Sequence, residues 1–196
     1  MKRVVLFSTL TESNRKTILD QIFHSDIQDK VFSYIPSSGI EGAEPYIEQW
    51  RQIAKMYEAQ FNVIDNSLYD TKQQLKLLSS NIAVISGGNT FNLLRNLRES
   101  GLDKSLKAFV EKPDFVLAGF SAGALVLTPT IEVCNLPDFD DNLVALDDFS
   151  GLGIVNFEIF PHYEKQTQET VLDNYRKIAT NKVREITDED YVSINQ

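Results

Sequence analysis

Asp114-Phe115-Val116-Leu117-Ala118-Gly119-Phe120-Ser121-Ala122-Gly123-Ala124-Leu125-Val126-Leu127 is the stretch that decides the fold. Residues 114–118 are short, apolar and β-prone, and the small and aliphatic residues after Ser121 predict the first turns of a buried helix. Strand, tight turn and helix with a serine at the apex is the context that a G-x-S-x-G nucleophile elbow requires. Gly119 and Gly123 let the chain turn sharply and pack closely, which leaves the Ser121 hydroxyl above the sheet edge. A small-residue strand–helix corner has the same local pattern. A serine hydroxyl is also a weak nucleophile without a base, so the rest of the chain has to supply the activating groups.

Outward from the elbow, strand-like and helix-like segments alternate. Residues 3–8, 30–36, 61–64 and 81–86 are compact apolar runs that predict strands. Between them, Ile18, Leu19, Ile22 and Phe23 share a helical face, and 45–59 is amphipathic, with Pro45 in its first turn and Ile47, Trp50, Ala54 and Tyr57 in one stripe. Residues 70–78 form a short helix, Phe91, Leu94 and Leu97 recur at helical spacing, and 102–111 is helical up to Pro113. This βαβα order with continuous apolar strands indicates an α/β fold: a mostly parallel sheet covered by helices on both faces, a three-layer α/β/α sandwich. Sites in such sheets lie at the carboxyl ends of the strands. Beyond the elbow, 136–149 reads as an acidic surface loop. A strand at 154–160 delivers Pro161-His162-Tyr163, a helix covers 166–179, and a short strand covers 191–194.

Bulk properties narrow the function. A chain of 196 residues is read as one domain, 1–196, with a core large enough to need no disulfide. A formal net charge of −9 argues against nucleic-acid and anionic-membrane partners, which demand concentrated Lys and Arg. The single cysteine, Cys134, suits a reducing compartment and reads as a small core or loop residue. Met1-Lys2-Arg3 precedes an apolar run too short for a signal peptide, and nothing approaches a membrane span, so a cytoplasmic location is expected.

Histidine supply is the tightest chemical constraint, because the chain has only His24 and His162. A serine hydrolase needs an imidazole as general base and acid. His24 lies in the first helical segment and reads as a structural residue. His162 follows a strand end and a proline, at the sheet edge where sites form. Ser86-Gly87-Gly88-Asn89-Thr90-Phe91 also follows a strand and opens a helix. Its paired glycines can turn backbone N–H groups toward a bound oxygen, so the Gly88 and Ala122 amides are candidate oxyanion donors, with Asn89 beside them as a candidate substrate-binding residue. Neither G-x-G-x-x-G nor a Walker loop is present. Candidates for an acid to orient the imidazole are too many: Asp138, Asp140, Asp141, Asp147 and Asp148 on one side of His162, and Asp188, Glu189 and Asp190 on the other. Composition does not choose among them, and most such carboxylates are simply solvated.

Taken together, Ile85-Ser86-Gly87-Gly88-Asn89-Thr90-Phe91-Asn92-Leu93-Leu94, Gly119-Phe120-Ser121-Ala122-Gly123-Ala124 and Phe160-Pro161-His162-Tyr163 stand in the order and spacing of the dipeptidase E family of serine peptidases, and the chain resembles that family over nearly its whole length. Aspartyl dipeptidase belongs to this family, and cyanophycinases are related to it. The resemblance implies a fold similar to class I glutamine amidotransferase domains, with a serine where those carry a cysteine. It implies Ser121 as nucleophile, His162 as base, and Gly88 and Ala122 as oxyanion donors. The family's third member is a glutamate in a Leu-Pro-Glu-Gly-Asn-Trp segment. The matching segment here is Ile186-Thr187-Asp188-Glu189-Asp190-Tyr191, which puts Asp188 in that place with Glu189 adjacent.

The chain departs from the family at Ser86, which replaces the first of three glycines, and at Asn135-Leu136, which replaces an Asn-Asp pair. It also has no clear counterpart of the arginine that recognises an aspartyl side chain; Arg176 is a poor match. The implied function is a serine exopeptidase acting on dipeptides or short peptides as monomer or homodimer, with no metal or organic cofactor. The competing expectations are an esterase that draws its acid from residues 138–148, and a non-catalytic descendant that binds a small ligand in the same cleft.

Overall fold

The computed structural model describes residues 1–25, 27 and 29–195. Five strands, β1 (Lys2–Phe7), β2 (Val31–Ile35), β3 (Gln60–Val63), β4 (Ile82–Ile85) and β5 (Phe115–Phe120), run parallel, and an antiparallel strand (Tyr191–Asn195) closes one edge beside β1. From the β3 edge the sheet runs β3, β2, β4, β5, β1 and then that edge strand. The elbow strand β5 is therefore central, paired with β4 on one side and β1 on the other.

Alternation along the strands explains the three layers. Val5, Phe7, Phe32, Tyr34, Val84, Val116 and Ala118 are buried on one face with the apolar sides of α1 (Arg15–Ile22) and α2 (Glu44–Met56). Val4, Leu6, Ile35, Ala83, Ile85, Phe115 and Leu117 are buried on the other. There they meet residues of α3 (Thr71–Ser79), α4 (Thr90–Glu99) and α5 (Leu102–Val110), together with the segments beyond the elbow. Side chains at successive strand positions point to opposite faces, so a strand covered on both must be apolar throughout. That is the pattern of the runs at β1, β4 and β5, and the α/β/α sandwich expected from them is the observed fold.

Three regions differ from the sequence reading. The helix after the elbow, α6 (Ala122–Leu125), is a single turn. Thr128 precedes Pro129, a position that disfavours helical backbone, and the Thr128 hydroxyl turns back to the Leu125 carbonyl at 2.7 Å. The strand expected over 154–160 is confined to β6 (Glu158–Phe160). The preceding amides of Leu152, Gly153, Ile154 and Val155 are donated to carbonyls of Val126, Thr128 and Leu127, so this segment braces the chain leaving α6 instead of joining a sheet. A strand absent from the sequence reading, β7 (Val183–Glu185), pairs with β6 in a separate two-stranded parallel sheet, after the helix α7 (Lys165–Ile178) that links them. The edge strand Tyr191–Asn195 is then β8. Among the described residues, no helix is long and apolar enough to cross a membrane.

Candidate active site

Three adjacent strands deliver the site. The carboxyl ends of β4, β5 and β1 lead into Ser86-Gly87-Gly88, Ser121 and Ser8 respectively. Ser121 sits at φ 50°, ψ −119°, outside the regions a serine ordinarily occupies, and strain of this kind costs on the order of 1–3 kcal/mol. The surroundings hold it there. Its amide is donated to the Phe7 carbonyl at 3.0 Å, and its carbonyl accepts the amides of Ala124 and Leu125, both at 3.0 Å.

Both elbow glycines are set by close approach. A Cβ on Gly119 would lie 2.3 Å from the Gly123 carbonyl oxygen, and one on Gly123 would lie 2.2 Å from the Ile85 carbonyl oxygen. Gly87 lies against Ser121 itself, since a Cβ there would stand 3.1 Å from Ser121 Cβ. Gly88 adopts φ 143°, a conformation L side chains rarely take.

The imidazole reaches Ser121 from a different layer. His162 follows β6 and Pro161 and takes φ 55°. Its Nε2 lies 2.9 Å from Ser121 Oγ, across 41 positions of chain, and its Nδ1 lies 2.6 Å from Asp188 Oδ1. With Nδ1–H donated to the carboxylate, Nε2 is left as acceptor for the serine hydroxyl. Among the eight carboxylates left open by composition, Asp188 is the one hydrogen-bonded to the ring. Neighbouring Glu189 points elsewhere: it accepts the hydroxyls of Thr11, at 3.0 Å, and Ser13. His24 lies past the end of α1 and lines a separate cavity with Tyr57 and Lys30.

The amides of Gly88 and Ala122 donate to no protein acceptor among the described residues. Two cavities open on either side of the Ser121–His162 pair. The larger, about 460 Å³, includes Gly87, Gly88, Tyr34, Tyr46 and Phe120 in its wall. The smaller, about 180 Å³, includes Leu125, Phe139, Asp140 and Gln168. The sequence model of peptidase family S51 matches residues 4–195, a span that contains the elbow, the glycine loop, His162 and Asp188.

The chain belongs to peptidase family S51.

This S51 chain is accordingly a serine-type peptidase. It is 28% identical over 159 residues to an uncharacterized peptidase of Pasteurella multocida strain Pm70, spanning 78% of this chain and 76% of that protein. To peptidase E of a Nostoc species it is 28% identical over 167 residues, 85% of this chain and 62% of that one. In three dimensions it is similar to a crystal structure of a candidate peptidase E protein from Listeria monocytogenes, with TM-score 0.78 and 23% identity over 99% of this chain and 94% of that chain. A peptidase from an acI-B1 Actinobacterium superposes with TM-score 0.70 at 19% identity, covering 100% and 84% of the two chains. These two structural likenesses speak for the fold.

Within the S51 chain, one candidate residue from the sequence, Asn89, has another position. Asn89 lines neither cavity beside Ser121. Its carboxamide oxygen caps α4 by accepting the Asn92 amide at 2.9 Å, and its nitrogen is donated to the Asp141 carbonyl at 2.9 Å. Arg176 also lines neither cavity; it pairs with Asp173 at 3.5 Å and with Glu185.

The acidic segment is more than a solvated loop. Asp140 accepts both the amide and the hydroxyl of Thr90, at 2.8 and 2.5 Å, and Leu136, Phe139, Leu146 and Phe149 pack against the core. Sequence reading missed Ser8 and Asn14. Ser8 Oγ accepts the His162 amide at 2.9 Å. Asn14 Nδ2 is donated to the backbone carbonyl of Asp188 at 2.8 Å and to that of Thr9 at 3.1 Å. Neither residue lies in a motif.

Proposed function

We propose that this peptidase is a single-domain serine exopeptidase that hydrolyses dipeptides or very short peptides through an acyl-enzyme. The observation that carries the proposal is the continuous Ser121–His162–Asp188 chain, with contacts of 2.9 and 2.6 Å. Ser121 Oγ attacks the scissile carbonyl carbon while His162 Nε2 takes its proton. Asp188 holds the tautomer that leaves Nε2 free and stabilises the imidazolium once it forms. The carbonyl oxygen becomes an oxyanion facing the Gly88 and Ala122 amides, whose lack of acceptors among the described residues supports this assignment. Collapse of the tetrahedral species breaks the C–N bond, and His162 gives its proton to the departing amine. A water, deprotonated by the same imidazole, then attacks the acyl carbon and returns Ser121 to its starting state.

Preference for short substrates is supported by the cavities themselves. The larger is of small-molecule size, and both border the same serine, one for each side of the cleaved bond. The test is a dipeptide-library hydrolysis screen on the wild type, Ser121→Ala and His162→Ala, with an active-site serine phosphonate probe read by intact mass. Turnover and labelling in the wild type, both lost in Ser121→Ala, are expected. Ester turnover without peptide turnover would favour an esterase, and a folded protein with neither turnover nor label would favour a ligand-binding descendant.

A further inference from the structure

The charges around Ser121 have one sign. Beside the His162 imidazole, the cavities are lined by the carboxylates of Glu41 in the larger and of Asp138 and Asp140 in the smaller; among the described residues, no Lys or Arg lines either. Asp140 is engaged by Thr90, whereas Glu41 makes no hydrogen bond or ion pair among the described residues. It sits on the loop between β2 and α2, in the same cavity wall as three aromatic rings: Tyr34, Tyr46 and Phe120. Tyr34 is buried at 1% exposure, while Tyr46 is left 61% exposed. Tyr34 and Phe120 are both stacked on Trp50, which leaves Tyr46 as the exposed ring; a free carboxylate in the same wall draws cations by Coulomb attraction, and the Tyr46 quadrupole adds to it. An anionic side chain beside Glu41 would meet its charge with no Lys or Arg among the described lining residues to offset it.

Building on the peptidase reading, we propose that the larger cavity selects substrates by a positively charged group, with Glu41 as its counter-ion and Tyr46 as its aromatic wall. The cation has two sources in a short peptide: the α-ammonium group of its first residue, or a basic side chain. Either makes substrates with an acidic residue in this cavity poor ones. Because Glu41 is solvent-exposed, the selectivity it confers is modest, about threefold to fivefold for an exposed ion pair.

The experiment measures binding without turnover, by calorimetric or NMR titration of Ser121→Ala with Lys-Leu, norleucyl-Leu, N-acetyl-norleucyl-Leu and Asp-Leu, and repeats it in Ser121→Ala/Glu41→Gln. If the α-ammonium is read, norleucyl-Leu binds better than its acetylated form by about threefold to fivefold, and the added Glu41→Gln erases the difference. If the side chain is read, Lys-Leu exceeds norleucyl-Leu by that factor, and Glu41→Gln again erases it. Ratios that survive Glu41→Gln, Asp-Leu as the tightest ligand, or no binding by any of the four would overturn the proposal. Phosphonate labelling of wild-type Ser121 reports separately on the peptidase reading, so the two failures are distinguishable.

Discussion

Ser8 accepts the backbone amide of His162 on its hydroxyl oxygen at 2.9 Å, and donates the same hydroxyl to the Ile186 carbonyl at 2.9 Å. One side chain, 1% exposed, thus ties the end of β1 to the turn that carries the imidazole and to the segment that leads into Asp188. Ser8→Ala leaves the partly buried His162 amide without a partner, while the Ile186 carbonyl keeps the Tyr163 amide at 3.1 Å, and we expect a stability loss of about 1–3 kcal/mol. The turn carrying His162 also loses its anchor, so kcat for peptide hydrolysis should fall about tenfold or more while KM changes little. A lowered Tm with unchanged kcat would show that Ser8 holds the fold and not the catalytic geometry.

Asp188 and Glu189 are adjacent, yet only Asp188 faces the imidazole. Asp188→Asn should keep the fold and lower kcat by about a thousandfold or more, because an amide in that place favours the wrong tautomer. Glu189→Gln, whose partners are Thr11 and Ser13, should alter kcat less than about threefold, as expected for an exposed contact. Steady-state kinetics on the two variants decides it; equal losses would mean that both carboxylates serve the imidazole.

These residues also mark where the sequence stopped being readable. The sandwich was legible because strands covered on both faces must be apolar at every position, and β1, β4 and β5 are. The elbow was legible because close approach admits only glycine at 119 and 123. Ser8 and Asn14 left no such trace. Each works through single hydrogen bonds to backbone groups more than 150 positions away, and such bonds impose no periodicity or spacing. β7 was hidden by its brevity and its charges: Val-Arg-Glu pairs only with β6, outside the main sheet. Residues 154–157 read as strand because three of the four are apolar, but the amides of Ile154 and Val155 are used along the chain leaving α6. Asn89 was read from its neighbours as a substrate contact, whereas its place at the start of a helix explains it as a cap.

The elbow itself should tolerate no side chain at its second glycine. In Gly123→Ala the new methyl would meet the Ile85 carbonyl oxygen at 2.2 Å, and this neighbour is backbone in a central strand, which cannot swing aside as a side chain would. We expect a loss of about 3 kcal/mol or more, or failure to fold, measured by urea denaturation. A stable, fully active Gly123→Ala protein would mean that β4 and the elbow can separate without cost.

Cys134 gives the last prediction, because a thiol is another side chain of this chain that could act as a nucleophile. Here the only thiol is 1% exposed in the core, and burial pushes its pKa up to about 12. At pH 8 only about one part in ten thousand would be thiolate, the form that reacts with alkylating reagents. Native protein at pH 8 should therefore resist iodoacetamide for hours and keep its peptidase activity, then take up one label per chain once urea unfolds it. A serine phosphonate should show the opposite dependence, labelling the native state and failing on the unfolded one, since its reaction needs the assembled Ser121–His162 pair. Loss of activity on alkylation of the native protein would contradict the buried position of the thiol, or show that the neighbouring Thr90–Asp140 contact opens during turnover.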